Sequence, residues 1–268
     1  MSELKNPRVE LFKQAEVLTS DSELLFTVPR PDPEFLRENQ GGCSDRKKYY
    51  YQTFMHRDRE SNEENNVCRI AKIDMESGEV VQWSGDYHTL NHSNDIAYNP
   101  NKNILVVCHN NPNKYRVTII DADTLEPIEV RELDMKIYSI DYNAKQDKYV
   151  VGLSGSQDLM FLDSDLKPIE GSRITATDKT QRYTTQGICS DEELIYCVLW
   201  DGKGYRMGCL QGAATVYSWE GKYVGIIEYD IGVREPENIS VIGGELYICA
   251  GNKGAGYFRI NPKLKIEN

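Results

Sequence analysis

The chain has 268 residues, 40% of them hydrophobic, and a formal net charge of −11 from 31 Lys and Arg against 42 Asp and Glu. Without a basic cluster, that balance excludes a partner recognised through its phosphate backbone and disfavours binding to anionic membrane surfaces. No apolar run approaches the roughly 18 residues of a membrane span, and Met1-Ser-Glu-Leu-Lys-Asn-Pro7 lacks a secretory hydrophobic segment, so a cytoplasmic monomer is expected unless a leader has been removed.

Residues 8–28 read as one or two strands, and Pro29, Pro31 and Pro33 then break regular structure. Next comes Gln40-Gly-Gly-Cys-Ser-Asp45, which returns with a single change as Gln186-Gly-Ile-Cys-Ser-Asp191. Looser copies follow at Asn94-Asp-Ile-Ala-Tyr98, Tyr138-Ser-Ile-Asp-Tyr142 and Glu237-Asn-Ile-Ser-Val241. Aligned on Gly42, Ile96, Ile140, Ile188 and Ile239, the copies are 54, 44, 48 and 51 residues apart, a period that signals propeller blades.

Each repeat has the same grammar. After Gln40-Gly-Gly-Cys43, the β-rich run Tyr49-Tyr-Tyr-Gln-Thr-Phe54 precedes a charged loop, alternating Arg69-Ile-Ala-Lys-Ile-Asp74, a turn and Val80-Val-Gln-Trp83. The pattern recurs through residues 89–135, 136–182 and 183–233, and leaves the last repeat, 234–268, short of an outer strand. Residues 8–28 are the strand-like material available to fill that gap. The expected fold is therefore all-β: a single five-bladed β-propeller of four-stranded antiparallel blades, closed by its N-terminal strand, with the first blade at 38–88.

This layout predicts a site where the innermost strands begin. Gln40, Asn94, Tyr138, Gln186 and Asn238 become candidate ligand contacts, and Glu237 and His92 candidate proton-transfer groups. Two loops, 55–68 and 200–213, are placed to wall the same funnel. The second carries Trp200, a further candidate contact, with Asp201, Tyr205 and Arg206. Duller roles stand beside these: Gln40 and Gln186 as backbone ties at a crowded axis, His92 as a hydrogen-bonded structural histidine, and Asp45 and Asp191 as turn residues. Asp95 follows Glu237 as a channel carboxylate, with Asn94 the alternative inward-pointing residue. Five of the seven cysteines (Cys43, Cys108, Cys189, Cys197, Cys249) sit in strand-like runs and read as buried thiols, and with no Cys-x-x-Cys pair a structural zinc site is not expected.

Asn94-Asp-Ile96 resembles the Pro-Asn-Asp-Ile stretch of the gluconolactonase (senescence marker protein) family, six-bladed enzymes with an axial divalent cation. The resemblance implies Asn94 as a metal ligand or substrate contact and Glu237 as the acid completing a site for Ca²⁺ or another divalent cation, the cofactor otherwise being left open. Gln40 stands where that family has its Glu. Thr185-Gln-Gly-Ile188 is similar to the Thr-Gln-Gly-Leu stretch of plant-type glutamine cyclotransferases, five-bladed enzymes with an axial Glu, a role that would fall to Glu237 beside Gln186. The expected function is thus a small polar ligand, substrate or peptide site in the axial funnel, with cyclotransferase- or lactonase-like chemistry if the protein is an enzyme. The alternative is a non-catalytic protein-interaction propeller.

Overall fold

The computed structural model describes residues 6–28, 38–56, 67–85, 88–181, 183–200, 212–232, 234–251 and 255–265. Its first element corrects the reading of residues 8–28 as strand throughout: Pro7–Phe12 is a short helix, α1. Asn6 caps it by accepting the Arg8 amide, and Pro7 brings a φ already suited to the first turn, so local signals override the apolar alternation. Strand β1 (Val17–Thr27) follows.

Four sheets account for the remaining strands. The first holds β2 (Glu38–Ser44), β3 (Tyr49–His56), β4 (Val67–Asp74) and β5 (Val80–Trp83), and the second β6 (Asp95–Asn99), β7 (Ile104–Cys108), β8 (Arg116–Asp121) and β9 (Pro127–Glu132). The third holds β10 (Ile137–Asn143), β11 (Lys148–Leu153) and β12 (Leu159–Asp163), where isolated bridges to Pro168 and Ile174 stand in place of an outer strand. The fourth has eight strands: β13 (Thr184–Ser190), β14 (Leu194–Trp200), β15 (Gly212–Ser218), β16 (Tyr223–Tyr229), β1, and then β19 (Gly256–Leu264), β18 (Glu245–Gly251) and β17 (Glu235–Ile242). Strand β1 creates this continuity. It runs antiparallel to β19 from Leu18 to Thr27 and parallel to β16 from Val17 to Ser20.

The first strands of the repeats, β2, β6, β10, β13 and β17, pack on one another in that cyclic order, and β17 returns to β2. A hydrophobic cluster fills each gap in the ring. Tyr51, Met55 and Ile70 meet Ile96, Leu105 and Val107 between the first two sheets, and Val106, Cys108 and Ile119 meet Ile140, Tyr149 and Val151 in the next gap. Because each sheet is covered on both faces, β7 and β14 are nearly continuous apolar runs instead of alternating ones. Six cysteines among the described residues, Cys68 on β4 and the five singled out in the sequence, are free and buried, as small apolar side chains would be.

Asp45 accepts the backbone N–H groups of Lys47, Lys48 and Tyr49 through one oxygen, a turn device. Asp191 does the same for Glu193 and Leu194, and its second oxygen binds Asn6, Arg8 and Tyr196. Arg8 is buried and also donates to the Gly244 carbonyl at 2.6 Å, so it fastens α1 to the base of the ring.

Candidate functional site

The candidate rim residues share a backbone peculiarity. β2 slips register between Asn39 and Gly42, β10 between Ile137 and Ser139, β13 between Thr185 and Ile188, and β17 between Pro236 and Asn238. Gln40, Tyr138, Gln186 and Glu237 lie inside these four bulges, whose extra residues re-aim side chains out of the ladder. Strand β6 pairs without a slip, and Asn94 immediately precedes it.

One residue further on, the chain reaches the axis with Gly41, Asp95, Ser139, Gly187 and Asn238. Asp95 is fully buried there. Its carboxylate accepts N–H groups from Ile96 (3.0 Å), Ile140 (3.0 Å), Ile188 (3.1 Å) and the Asn238 side chain (2.7 Å), joining four of the inner strands. The glycines make room: a Cβ on Gly41 would sit 2.3 Å from the Asp95 Cα, and one on Gly187 2.3 Å from the Asn238 side-chain nitrogen. Burial holds the Asp95 pKa well above the usual carboxylate value even though the three backbone N–H groups pull it down. Since all four partners are donors, the charged form is the one this post is built to hold. Of the two inward candidates, Asp95 faces the axis. Asn238, expected at the ligand, is 0% exposed with its amide shared between Asp95 and Tyr50, so it belongs to the post.

Above the post on one side opens a cavity of about 720 Å³. His92, Asn94, Tyr138 and Gln186 all line it, so four of the predicted residues come together. Asn94 donates to the Tyr138 carbonyl at 2.6 Å and accepts from Asn110 at 2.9 Å, and Gln186 donates to Glu235 at 2.8 Å. The other predicted residues are not among its lining residues. Gln40 is buried with its amide on the carbonyl of Asn39, the residue before it in the same strand. Trp200 ends β14 opposite Thr184 and Gly212. Glu237 lies against Gly251, where an added Cβ would meet its carboxylate oxygen at 2.2 Å. Residues 57–66 and 201–211, with the loop residues Asp201, Tyr205 and Arg206, lie outside the described residues.

No group of three or more His, Cys, Asp or Glu that would hold a metal occurs among the described residues. The Asn94 amide is engaged at both ends, its nitrogen on the Tyr138 carbonyl and its oxygen on the Asn110 side chain.

The remaining walls come from loops that carry no repeat signal: Lys114 and Asn110 between β7 and β8, Ser154, Gln157 and Asp158 between β11 and β12, and Gln181 and Tyr183 before β13. The turn after β11 contributes Ser154, Gly155 and Ser156 to the wall. Asp158 is neutralised by Arg173 at 2.6 Å and accepts the Ala176 amide.

Behind the cavity, His109 is buried between Asn91 and Thr118, each 2.7 Å from a ring nitrogen. Burial lowers its pKa from 6.5 to about 4. The unfolded chain therefore takes up a proton that the folded protein refuses between those values, so the contribution of His109 is intact above pH 6.5 and is lost as pH falls towards 4. Denaturant titrations should show about 3 kcal/mol lost over this window that His109→Gln does not lose. Equal slopes in the two proteins would contradict the assignment.

No protein-family model and no curated protein matches the sequence. Among solved structures, the chain is similar to the crystal structure of Myxococcus xanthus glutaminyl cyclase, with a TM-score of 0.62 at 10% identity over 94% of this chain and 100% of that one. The RRP9 WD40 repeats give a TM-score of 0.47 at 7% identity over 91% and 98%. The β-propeller domain of Cps50 (Swd1) from Myceliophteria thermophila gives 0.40 at 12% identity over 74% and 65%. At these identities the likeness speaks to fold alone, and with the cyclic packing of the inner strands it makes this chain an all-β protein of the β-propeller fold.

Proposed function

We propose that the chain is a five-bladed propeller that binds a small polar ligand in the cavity between Asn94, Tyr138 and Gln186. Five inner strands in cyclic contact support the count. In this reading the eight-stranded sheet is two blades, β13–β16 and β17–β19 with β1, bridged by the short β1–β16 pairing.

The observation that carries the ligand reading is the convergence of His92 and Asn94, Tyr138, and Gln186, from three separate places in the sequence, on one cavity of ligand size. Its walls are amides and hydroxyls that orient a polar molecule. Were the protein an enzyme of the hydrolase, lyase or cyclotransferase kind, proton transfer would fall to His92, the imidazole on the wall, because Glu237 is not among the lining residues.

Thermal-shift and calorimetric titration of amino acids, hydroxy acids, sugars and short peptides tests this. Binders of the wild type should lose at least about tenfold in affinity in His92→Ala and in Gln186→Ala, while both variants unfold cooperatively. Binding that survives both substitutions overturns the cavity reading. A protein-interaction scaffold would then be favoured, for which Ile128 and Val130, 59% and 57% exposed on the edge strand β9, offer an apolar strip.

A further inference from the structure

Lys114 gives the cavity a charge. It lines the wall half-buried, from a loop whose backbone is tied down on several sides. The Asn113 amide donates to the Asn110 carbonyl at 2.7 Å, the Arg116 amide to the Asn113 carbonyl at 2.8 Å, and the Ile137 amide to the Lys114 carbonyl at 2.8 Å. The Asn113 side chain donates to Asn91 at 3.1 Å, which fixes the loop to the segment carrying His92. Lys114 thus joins the cavity wall from an ordered backbone.

The ammonium has no carboxylate and no aromatic ring as a partner among the described residues, which separates it from the half-buried Lys72 and Lys148, both set over aromatic rings. Partial removal from water is unfavourable for an ammonium unless an opposite charge replaces its hydration. Asp158, the acid on the same wall, is occupied by Arg173 and the Ala176 amide. The other lining side chains are amides, hydroxyls, alanine, glycine and His92, so the wall carries one uncompensated positive charge in a molecule of net charge −11. At physiological ionic strength, charges farther away than about 8 Å are largely screened, so the local cation sets the preference of the cavity.

Resting on the cavity reading above, we infer that the ligand is a small organic anion whose carboxylate or phosphate oxygens pair with Lys114, while its polar body is held by the surrounding amides and hydroxyls. Lys114 selects charge, and the rim residues select shape.

The test uses lactate, glutarate and glycerol 2-phosphate, each beside its neutral counterpart, lactamide, glutaramide and glycerol, in calorimetric titrations of the full chain. The wild type should bind the charged member of at least one pair about tenfold or more tightly, and rising ionic strength should weaken that preference. Lys114→Met should remove the preference for the charged member over the neutral one, and Lys114→Arg should keep it. Equal binding of both members, or a preference that survives Lys114→Met, overturns the anion inference and leaves the cavity reading standing. Charged and neutral probes that bind as well to His92→Ala and Gln186→Ala as to the wild type overturn the cavity reading itself. A wild type that binds no anion of the set overturns the inference outright.

Discussion

Replacing Asp95 by Ala should destabilise the protein by about 5 kcal/mol or more, among the largest effects of any single substitution in this chain. The change strands three backbone N–H groups and the Asn238 amide at the axis, and each buried donor left without an acceptor costs about 1–3 kcal/mol. Removing a buried charge returns part of this. Asp95→Asn keeps the volume but turns a new donor towards existing donors, so its cost should fall between that of Ala and zero. Urea unfolding of the three proteins gives the order directly. Variants as stable as the wild type would mean that the carboxylate serves a ligand and not the ring.

Deleting residues 1–27 should abolish the cooperative fold. The deletion removes β1 and with it the whole ladder to β19, the parallel pairing to β16, the fully buried Leu18 and the anchor of Arg8 on Asp191, Tyr196 and Gly244. The combined loss exceeds the roughly 5–15 kcal/mol by which a domain of this kind is stable. The exposed edge of β19 would then be open to pairing with other copies. Size-exclusion chromatography with circular dichroism should show aggregated or unfolded protein, and a monomer with the wild-type melting temperature would contradict the role given to β1.

Much of this ring was legible in the repeats. Gly42, Ile96, Ile140, Ile188 and Ile239, the positions on which the copies align, all lie on inner strands. The recurrence of Gln-Gly has a steric cause in the glycines that leave space for Asp95 and Asn238. What resisted reading was orientation over a single residue. Four inner strands carry a bulge at the rim and β6 does not, and a slip of one residue exchanges the faces of a strand. Asn94 and Asp95 therefore could not be told apart by alternation, and Glu237, chosen as the acid of its repeat, lies against Gly251. Lys114, Gln157 and Tyr183 went unnoticed because loops have no period, and their approach to the cavity depends on hydrogen bonds such as those from Gln157 to the Thr180 and Tyr183 carbonyls.

Ligand recognition in the rim cavity is tested most directly by titrating ¹⁵N-labelled protein with the anion that the wild type binds most tightly among lactate, glutarate and glycerol 2-phosphate, followed by NMR. Shifts are expected in the side-chain amides of Asn94, Asn110, Gln181 and Gln186 and in the Lys114 backbone, with Ile128, Val130 and the α1 region unmoved. Shifts confined to β9 or to α1, with the cavity amides silent, would contradict it.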